Sequence, residues 1–511
     1  MREPAGGARA VSAAVPAPRA NLAGRHAAVI GGGITGLAAA RVLADRGARV
    51  TVLERDAEPE APTPDQAFAS WQRKGAPQVR HSHAFLGRLR NLLRDAYPDL
   101  LDALRAAGAA ELDMLERPPP TLQPLRREPG DEDLVALGCR RTTFEWVVRR
   151  NVLARAGVAL VSGAQVRGLS ATGATPPAVT GVQYDAGGAR LALAADLVID
   201  ASGRHSKAPE WLAAIGAPPP RERQEPSGIV YYTRFYRFRD GASAPPPTSH
   251  PTAADYNWIK YAIFPADDRT FSITFAVALA FPRLKVLGRT PAFDAMVRAL
   301  PALAPWVDPA VSEPIGDPDH PVQAMGGLIN RVRRFTVDGQ PVAIGFFALG
   351  DAAYCTNPLY GRGCAQAFLH ADLLGAALDA HPDDLSAAAL ALAEQARLQI
   401  EPFYRASVIA DRDAVRRAEG RRPRRLSHRL RQRFLEDGVA VATRCDPVVF
   451  RAFLRMFNML ESPERAFGSP QVVWRSLRVL LRGKRHNQRY AIPGPPDRET
   501  TIARCEAAAA S

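Results

Sequence analysis

The sequence has few cysteines, few lysines and no long apolar run. Its five cysteines form no Cys-x-x-Cys pair and no framework spacing, which argues against disulfides and structural zinc and indicates a reducing compartment. No segment approaches the roughly 18 uncharged apolar residues that a transmembrane helix needs. The first residues lack the apolar centre of a signal peptide. We therefore expect a cytoplasmic protein whose residues 1–24 form a disordered leader.

Basic residues outnumber acidic ones, and nearly all of them are arginines. The formal net charge is +14, and only five of the 66 basic residues are lysines. The basic residues are spread along the chain and no zinc-finger or RNA-recognition motif occurs, so nucleic acid is not an expected partner. An arginine-rich composition alone explains this charge. Attraction to an anionic membrane surface is the alternative interpretation, with the protein peripheral to the bilayer.

The strongest local signal is the stretch "HAAVIGGGITGLAAARVLADRGARVTVLERD". An apolar strand precedes Gly31, Gly33 and Gly36, and a helix and a second strand follow. The first glycine permits a tight turn, the second lets a pyrophosphate approach the backbone, and the third permits close helix–strand packing. Glu54 ends the second strand, where it can accept hydrogen bonds from ribose hydroxyls. The pattern predicts a dinucleotide site and leaves FAD and NAD(P) open.

Two distant segments end buried strands in the same way. In "DLVIDASGRHS", an apolar strand turns at Ser202 and Gly203, after a hairpin whose turn is predicted at Asp185–Gly188. In "ALGDAAYCTNPLYGRG", a strand predicted over 342–349 ends in Gly-Asp, and a helix begins near a Pro-x-x-Gly-x-Gly. The candidate residues of this last segment are Gly350, Asp351, Pro358, Gly361 and Gly363.

Together, the three segments resemble the FAD-dependent monooxygenase family that includes para-hydroxybenzoate hydroxylase, squalene epoxidase and the bacterial polyether epoxidases. The resemblance implies that FAD is bound non-covalently and that Asp351 binds a ribose or ribityl hydroxyl. It also implies that a helix N-terminus near Gly363 lies against the flavin ring, where its partial positive charge stabilises the reduced anion. A glycine suits this position because a Cβ would collide with the ring.

Further site residues are assigned from the same resemblance. Arg141, at the start of a helix, is expected on the diphosphate side of the cofactor, with Arg140 as the alternative, and Arg55 follows the ribose-binding acid. The stretch "APQVRHSH" is similar to a loop of the polyether epoxidases, which places His81 and His83 near the flavin. A His-x-His pair can bind a metal, but no third ligand is evident, so no metal site is predicted.

The segments predict an α/β fold, in which a Rossmann-like FAD domain has a parallel sheet within a ββα three-layer arrangement. This domain spans 25–215 and returns over 341–381. An α+β substrate domain on a mainly antiparallel sheet is inserted over 216–340, and 382–511 form a helical C-terminal region. Tyr231, Tyr232, Trp258 and Phe275 are candidate residues of the substrate pocket, although aromatic residues on a sheet are more often packing residues.

The resemblance implies a monooxygenase that epoxidises or hydroxylates a small apolar alkene or aromatic molecule through a flavin C4a-hydroperoxide. The catalytic group is then the flavin itself, which agrees with the lack of a catalytic triad. A double-bond reductase similar to geranylgeranyl reductase and a flavin-dependent halogenase remain alternatives, although the Trp-x-Trp-x-Ile-Pro motif of halogenases is absent. A prenyl-binding escort protein of this fold is the non-enzyme alternative.

The electron donor is left open by one departure from the family pattern. Aromatic hydroxylases carry Asp-Gly where this chain has Ser202-Gly203, and that motif is tied to the use of NAD(P)H. Electrons are therefore expected either directly from NAD(P)H or from a separate flavin reductase.

Overall fold

The structure is a computed structural model that describes residues 19–58, 61–71, 73, 75–246, 248, 250–421 and 425–510. Residues 1–18 of the predicted leader lie outside this part of the chain. The remainder of that leader is not separate from the fold, because Leu22 is fully buried. In addition, the amide of Ala20 donates a 2.6 Å hydrogen bond to the Asp379 carboxylate. The first domain therefore begins before Arg25.

The strands are short and fall into several sheets. In chain order they are β1 (His26–Ile30), β2 (Arg49–Glu54), β3 (Ala110–Asp113), β4 (Val135–Gly138), β5 (Val158–Ser162), β6 (Gln165–Ala171), β7 (Val179–Ala186), β8 (Ala189–Ala194), β9 (Leu197–Asp200), β10 (Arg221–Pro226), β11 (Ile229–Phe238), β12 (Ala253–Asp255), β13 (Lys260–Pro265), β14 (Thr270–Ala278), β15 (Ser312–Ile315), β16 (Gln323–Met325), β17 (Ile329–Arg334), β18 (Thr336–Val337), β19 (Gln340–Pro341), β20 (Phe346–Ala348) and β21 (Tyr354–Cys355).

The helices dominate the last quarter of the chain. They are α1 (Ile34–Ala44), α2 (Pro64–Ser70), α3 (Gly87–Ala96), α4 (Pro98–Ala106), α5 (Arg141–Leu153), α6 (Ala208–Ala214), α7 (Thr290–Ala299), α8 (Gly363–Ala380), α9 (Leu385–Gln399), α10 (Glu401–Ala418), α11 (Leu426–Arg433), α12 (Ala440–Ala442), α13 (Pro447–Phe457), α14 (Pro463–Gly468), α15 (Pro470–Arg482), α16 (Lys484–Asn487) and α17 (Arg498–Ala510).

The first domain is built on a parallel sheet of order β20-β9-β1-β2-β5. Helices α1, α5 and α8 pack together, and the antiparallel sheet β6-β7-β8 lies against β1, β2 and β9. These are the three predicted layers. The strands of the parallel sheet are nearly continuous apolar runs because both of its faces are covered. The hairpin between β7 and β8 turns at Gly187 and Gly188, within the predicted turn.

One predicted strand of this domain is too long. The segment 342–349 was expected to be a single strand, but only Phe346–Ala348 pair with β9. Gly345 has a φ of +75°, a left-handed conformation that interrupts an extended strand. The strand nevertheless ends immediately before the Gly350–Asp351 turn, so its shortened start leaves the predicted site unaltered.

The second domain is centred on an antiparallel sheet of order β12-β13-β14-β11-β15, with β16 also paired to β11. Helix α7 covers the face of this sheet that carries Tyr232 and Phe275. The C-terminal helix α17 packs on α7 and buries Ile502 and Cys505 in the same core. The end of the chain therefore returns to the inserted domain.

The predicted C-terminal region, 382–511, divides among three cores. Helices α9 and α10 contribute Leu392 and Phe403 to the core of the first domain, whereas α17 belongs to the second. Between them, α12, α13 and α15 form a small core of their own around Val449 and Val479. The region is helical, as expected, and its helices pack into more than one core.

Candidate functional site

A cavity of about 860 Å³ lies between the two domains. One end is lined by the residues that follow β1, β2, β9 and β20, and the other by residues of β3, β4 and β13. In a parallel sheet, the crevice at the carboxyl ends of the strands is the usual ligand site. The three segments singled out in the sequence meet in this crevice.

The glycine-rich turn fits tightly against the neighbouring strand and helix. Gly31 has a φ of +101°, and a Cβ there would lie 2.7 Å from the carbonyl oxygen of Ala201. A Cβ on Gly36 would lie only 1.8 Å from the carbonyl oxygen of Gly31. Gly33 differs, because the nearest atom to its added Cβ is Arg73 Nη2 at 3.9 Å. The backbone before α1 is therefore open to a ligand on this side.

Glu54 and Arg73 form the polar wall beside the turn. Glu54 accepts a 2.8 Å hydrogen bond from the amide of Gly32 and a 2.9 Å bond from that of Asp56. Arg73 forms ion pairs with Glu54 at 3.2 Å and with Glu145 at 3.0 Å. Arg73 was not predicted as a site residue. Carboxylates from two other segments hold it in place, and no local sequence motif identifies such an arginine.

Of the two arginines predicted at the start of α5, Arg141 is the one that lines the cavity. Its Nη2 pairs with Glu145 at 2.8 Å, and its Nη1 lies 2.8 Å from Cys364 Sγ. Although burial acts in the opposite direction, the charges of Arg73 and Arg141 hold the pKa of Glu145 below its usual value. Arg140 instead binds the buried Asp267 and does not line the cavity, so of the two predicted arginines only Arg141 fits the cofactor role.

Asp351 directs an unpaired carboxylate into the cavity. It lies in the turn after β20 and lines the cavity, and none of the hydrogen bonds among the described residues involves its side-chain oxygens. Burial raises the pKa of this carboxyl, against the opposing charges of Arg204 and Arg331. Gly350 lies beneath it, and its amide donates a 3.1 Å hydrogen bond to His370 Nδ1. A carboxylate held in this way can accept hydrogen bonds from ligand hydroxyls.

The start of α8 borders the same space. Pro358, Gly361 and Gly363 all line the cavity, and a Cβ added to Gly363 would have no atom within 4 Å. A helix of this length carries partial positive charge at its N-terminus. The preceding loop is held by Asn357, whose Nδ2 donates a 2.9 Å hydrogen bond to the buried Asp411 of α10.

A small side chamber is lined by His81, Ser82, Thr233 and Thr274, among other residues. A series of hydrogen-bonded side chains begins there at His81. His81 Nδ1 lies 3.1 Å from Thr233 Oγ1, which is 2.8 Å from Thr274 Oγ1. The Thr274 hydroxyl lies 2.7 Å from Ser82 Oγ, which is 2.6 Å from Ser272 Oγ. Each hydroxyl can both donate and accept a hydrogen bond. This series of side chains can therefore hold a proton or a polar group of a substrate in the side chamber.

Both histidines of the predicted pair line the cavity and are neutral at pH 7. Burial lowers the pKa of His81 to about 4. Burial and the charge of Arg141 lower the pKa of His83 to about 3. His83 Nδ1 lies 2.9 Å from the carbonyl oxygen of His81. Because that oxygen only accepts, Nδ1 carries the proton and Nε2 is the free acceptor of the neutral ring.

These features fit FAD. The open backbone at Gly33 leaves room for a diphosphate, the unpaired Asp351 carboxylate offers an acceptor for sugar hydroxyls, and the glycine start of α8 leaves space for a flat ring. Residues 26–377 match the family described as "FAD dependent oxidoreductase".

The chain belongs to this family of FAD-dependent oxidoreductases. It is therefore an FAD-binding enzyme and not the prenyl-binding escort protein that was the non-enzyme alternative. "Protein Rv3254" of Mycobacterium tuberculosis is 30% identical to the oxidoreductase over 503 residues, covering 91% of this chain and 96% of that protein.

Two solved structures share the fold of the oxidoreductase at low identity. p-Nitrophenol 4-monooxygenase PnpA from Pseudomonas putida has a TM-score of 0.57 and 16% identity, with 86% of this chain and 98% of that chain covered. The myxobacterial chondrochloren halogenase CndH has a TM-score of 0.56 and 18% identity, with 89% and 97% covered. A monooxygenase and an FAD-dependent halogenase therefore share this architecture.

The structure places most predicted site residues of the oxidoreductase on the cavity wall. Those that line it are Gly31, Gly33, Glu54, Arg55, His81, His83, Arg141, Ser202, Gly203, Asp351, Pro358, Gly361 and Gly363. Gly36 and Gly350 lie just behind the wall, where they shape the turns that carry their neighbours.

Three of the four aromatic pocket candidates lie elsewhere. Tyr232, Trp258 and Phe275 are buried in the core between the antiparallel sheet and α7, and none of them lines the cavity. Successive side chains of a strand point to opposite faces, so it is Tyr231, the neighbour of Tyr232, that reaches the side chamber. Its hydroxyl donates a hydrogen bond to Asn357 Oδ1.

Proposed function

We propose that the oxidoreductase is a monooxygenase that transfers one oxygen atom from O2 to a small apolar alkene or aromatic molecule. The second oxygen atom leaves as water, with two electrons from a donor. The observation that supports this is the continuity of one cavity from the cofactor residues to an apolar chamber. That chamber is lined by Leu112, Met114, Ala136, Ile263, Phe264 and Phe457.

The protein residues bind the cofactor and orient the substrate. When bound, FAD supplies the activation of oxygen. The open backbone at Gly33 would receive the diphosphate, the Asp351 carboxylate would accept a hydrogen bond from a sugar hydroxyl, and the positive end of α8 would lie where it can stabilise negative charge on the ring.

On the substrate side, the apolar chamber keeps water from the reacting atoms. The neutral His81 donates or accepts at Nδ1 toward Thr233, so the hydroxyl chain can orient a polar group of the substrate or take up its proton. No charged acid–base pair is required for this chemistry.

We also propose that electrons arrive from a separate flavin reductase. The acidic residue nearest to the Ser202-Gly203 turn along the chain is Asp200, which is fully buried. Its two oxygens accept 2.5 Å hydrogen bonds from the hydroxyls of Ser202 and Ser206. The turn therefore offers no free carboxylate where the aromatic hydroxylases place theirs. Rapid reduction of the bound flavin by NADPH alone would contradict this part of the proposal.

A single-turnover experiment tests the reaction. The FAD-loaded enzyme is photoreduced and then mixed with isotopically labelled O2 and a panel of a terminal alkene, a phenol and bromide. The expected product carries one labelled oxygen atom. A brominated phenol would instead identify a halogenase. An alkane formed from the alkene, with no labelled oxygen in it, would identify a double-bond reductase. Either product contradicts the proposal.

A further inference from the structure

Helix α11 lies on the surface without a buried side. None of its eight residues is buried, and Leu426 and Leu430, one turn apart, are 69% and 58% exposed. Exposed leucines at this spacing form an apolar stripe along one side of a helix. A helix with no buried face gains little from its own protein, which leaves α11 free to contact something else.

Helix α15 adds a second exposed apolar face. One side buries Val472 and Val479 in the small C-terminal core. The opposite side exposes Trp474 by 57% and Leu481 by 76%. Helix α11 continues directly into the helical segment Phe434–Val439, and α15 packs against that segment. The two helices therefore belong to one helical unit, and we name their exposed apolar residues the α11–α15 face. Large exposed apolar residues grouped in this way mark an interaction site.

The charge around the α11–α15 face selects its partner. The described stretch 425–433 reads "RLSHRLRQR" and holds four arginines and no acidic residue. Beyond α15, the chain continues "GKRHNQR" with three more basic residues. Leucine and tryptophan beside dense arginine are typical of helices that lie in the headgroup region of anionic bilayers. Within the described residues, no helix is long and apolar enough to cross a bilayer, so the contact would be at the surface.

We propose that the α11–α15 face binds an anionic membrane surface. The fold gives this contact a direct link to the cavity. Helix α13 packs against α15, and its last residue, Phe457, lines the cavity. A bilayer held at α11 and α15 would therefore contact the helical unit that contributes Phe457 to the cavity wall.

Vesicle flotation of the full-length, FAD-loaded enzyme tests the proposal. The probes are vesicles of phosphatidylcholine alone and of phosphatidylcholine mixed with phosphatidylglycerol. The first variant carries Arg425→Glu, Arg429→Glu and Arg431→Glu. A matched control carries Arg117→Glu, Arg190→Glu and Arg221→Glu, which changes net charge equally at exposed arginines elsewhere.

We expect the unmodified enzyme to bind the anionic vesicles, with binding that weakens as salt is added. Each basic residue at an anionic surface contributes about fivefold, so the first variant should bind at least ~100-fold more weakly. The control should bind as the unmodified enzyme does.

A second variant, Trp474→Ser with Leu481→Ser, separates apolar insertion from charge attraction. It should bind at least ~10-fold more weakly, because each exposed side chain loses its contact with the acyl region.

Flavin absorbance checks that each variant retains its fold. Equal binding by the first variant and its control would overturn the proposal, as would equal binding to neutral and anionic vesicles. Sedimentation that shows the face covered by a second copy, without vesicle binding, would also overturn it.

Discussion

Replacing Gly363 by alanine separates the needs of the cofactor from those of the protein. Gly363 is the first residue of α8 and lines the cavity. A Cβ at this position would meet no atom within 4 Å, and its φ lies outside the left-handed region. The apoprotein should therefore accept alanine without strain. Because alanine is the better helix former by at most ~1 kcal/mol, the free energy of unfolding should stay constant or rise slightly.

FAD binding should respond in the opposite direction. The added methyl group would occupy space that the bound ring needs, and forcing an extra methyl group into a filled site costs about 1–3 kcal/mol. The Kd for FAD should therefore rise between about 5-fold and 150-fold. Fluorescence titration of the apoprotein with FAD measures this change, and thermal unfolding of the same apoprotein measures its stability.

Gly468→Ala is the matched control. Gly468 ends α14, away from the cavity, and a Cβ there would also meet no atom within 4 Å. We expect neither the Kd for FAD nor the stability to change beyond the small effect of helix propensity. If Gly363→Ala bound FAD as tightly as this control, the start of α8 would not lie against the cofactor. If it destabilised the apoprotein instead, the space around Gly363 would be misjudged.

Two further predictions concern buried ionisable groups. Asp351→Ala should lose most of the bound FAD and Asp351→Asn less, because asparagine keeps an acceptor; flavin absorbance after purification measures both, and full retention by the alanine variant would refute the assignment. Burial lowers the pKa of His370 from 6.5 to about 3, so the unfolded chain binds the extra proton as pH falls through this range, and stability drops by up to ~1.4 kcal/mol per pH unit. His81 and His83 contribute in the same direction, so His370→Asn should reduce, by up to one proton, the pH dependence of urea unfolding between about pH 4 and pH 6; an unchanged slope would show that His370 does not contribute.

Local signals were enough to predict which turns line one end of the cavity. The spacing of Gly31, Gly33 and Gly36 fixes a turn within a few residues, and the structure shows that two of these glycines are required by backbone contacts under 3 Å. A helix start near Gly361 or Gly363 follows equally from the sequence, because a Pro-x-x-Gly-x-Gly motif comes before a long apolar stretch, and the structure begins α8 at Gly363. Such features depend on short stretches of chain, which the sequence displays directly.

Residues placed by distant partners were harder to predict. Arg73 is held by Glu54 and Glu145, and no short pattern joins these positions. The assignment of Tyr232 to the pocket failed because the alternation of a strand gives two faces without saying which one a helix will cover. Similarly, nothing in the composition of α17 indicates that it returns more than 200 residues along the chain to pack on α7.

The order of the parallel sheet explains why three remote segments form one site. Ile30 of β1 is paired with Asp200 of β9 and with Leu53 of β2, and Asp200 is paired with Ala348 of β20. The four strands therefore end in register. The residues that come next in the chain, from the glycine turn to the Gly350–Asp351 turn, must lie side by side along one edge. A motif that ends a buried strand is thus informative even when hundreds of residues separate it from its neighbours, because the sheet converts separation in sequence into a distance of one or two strands.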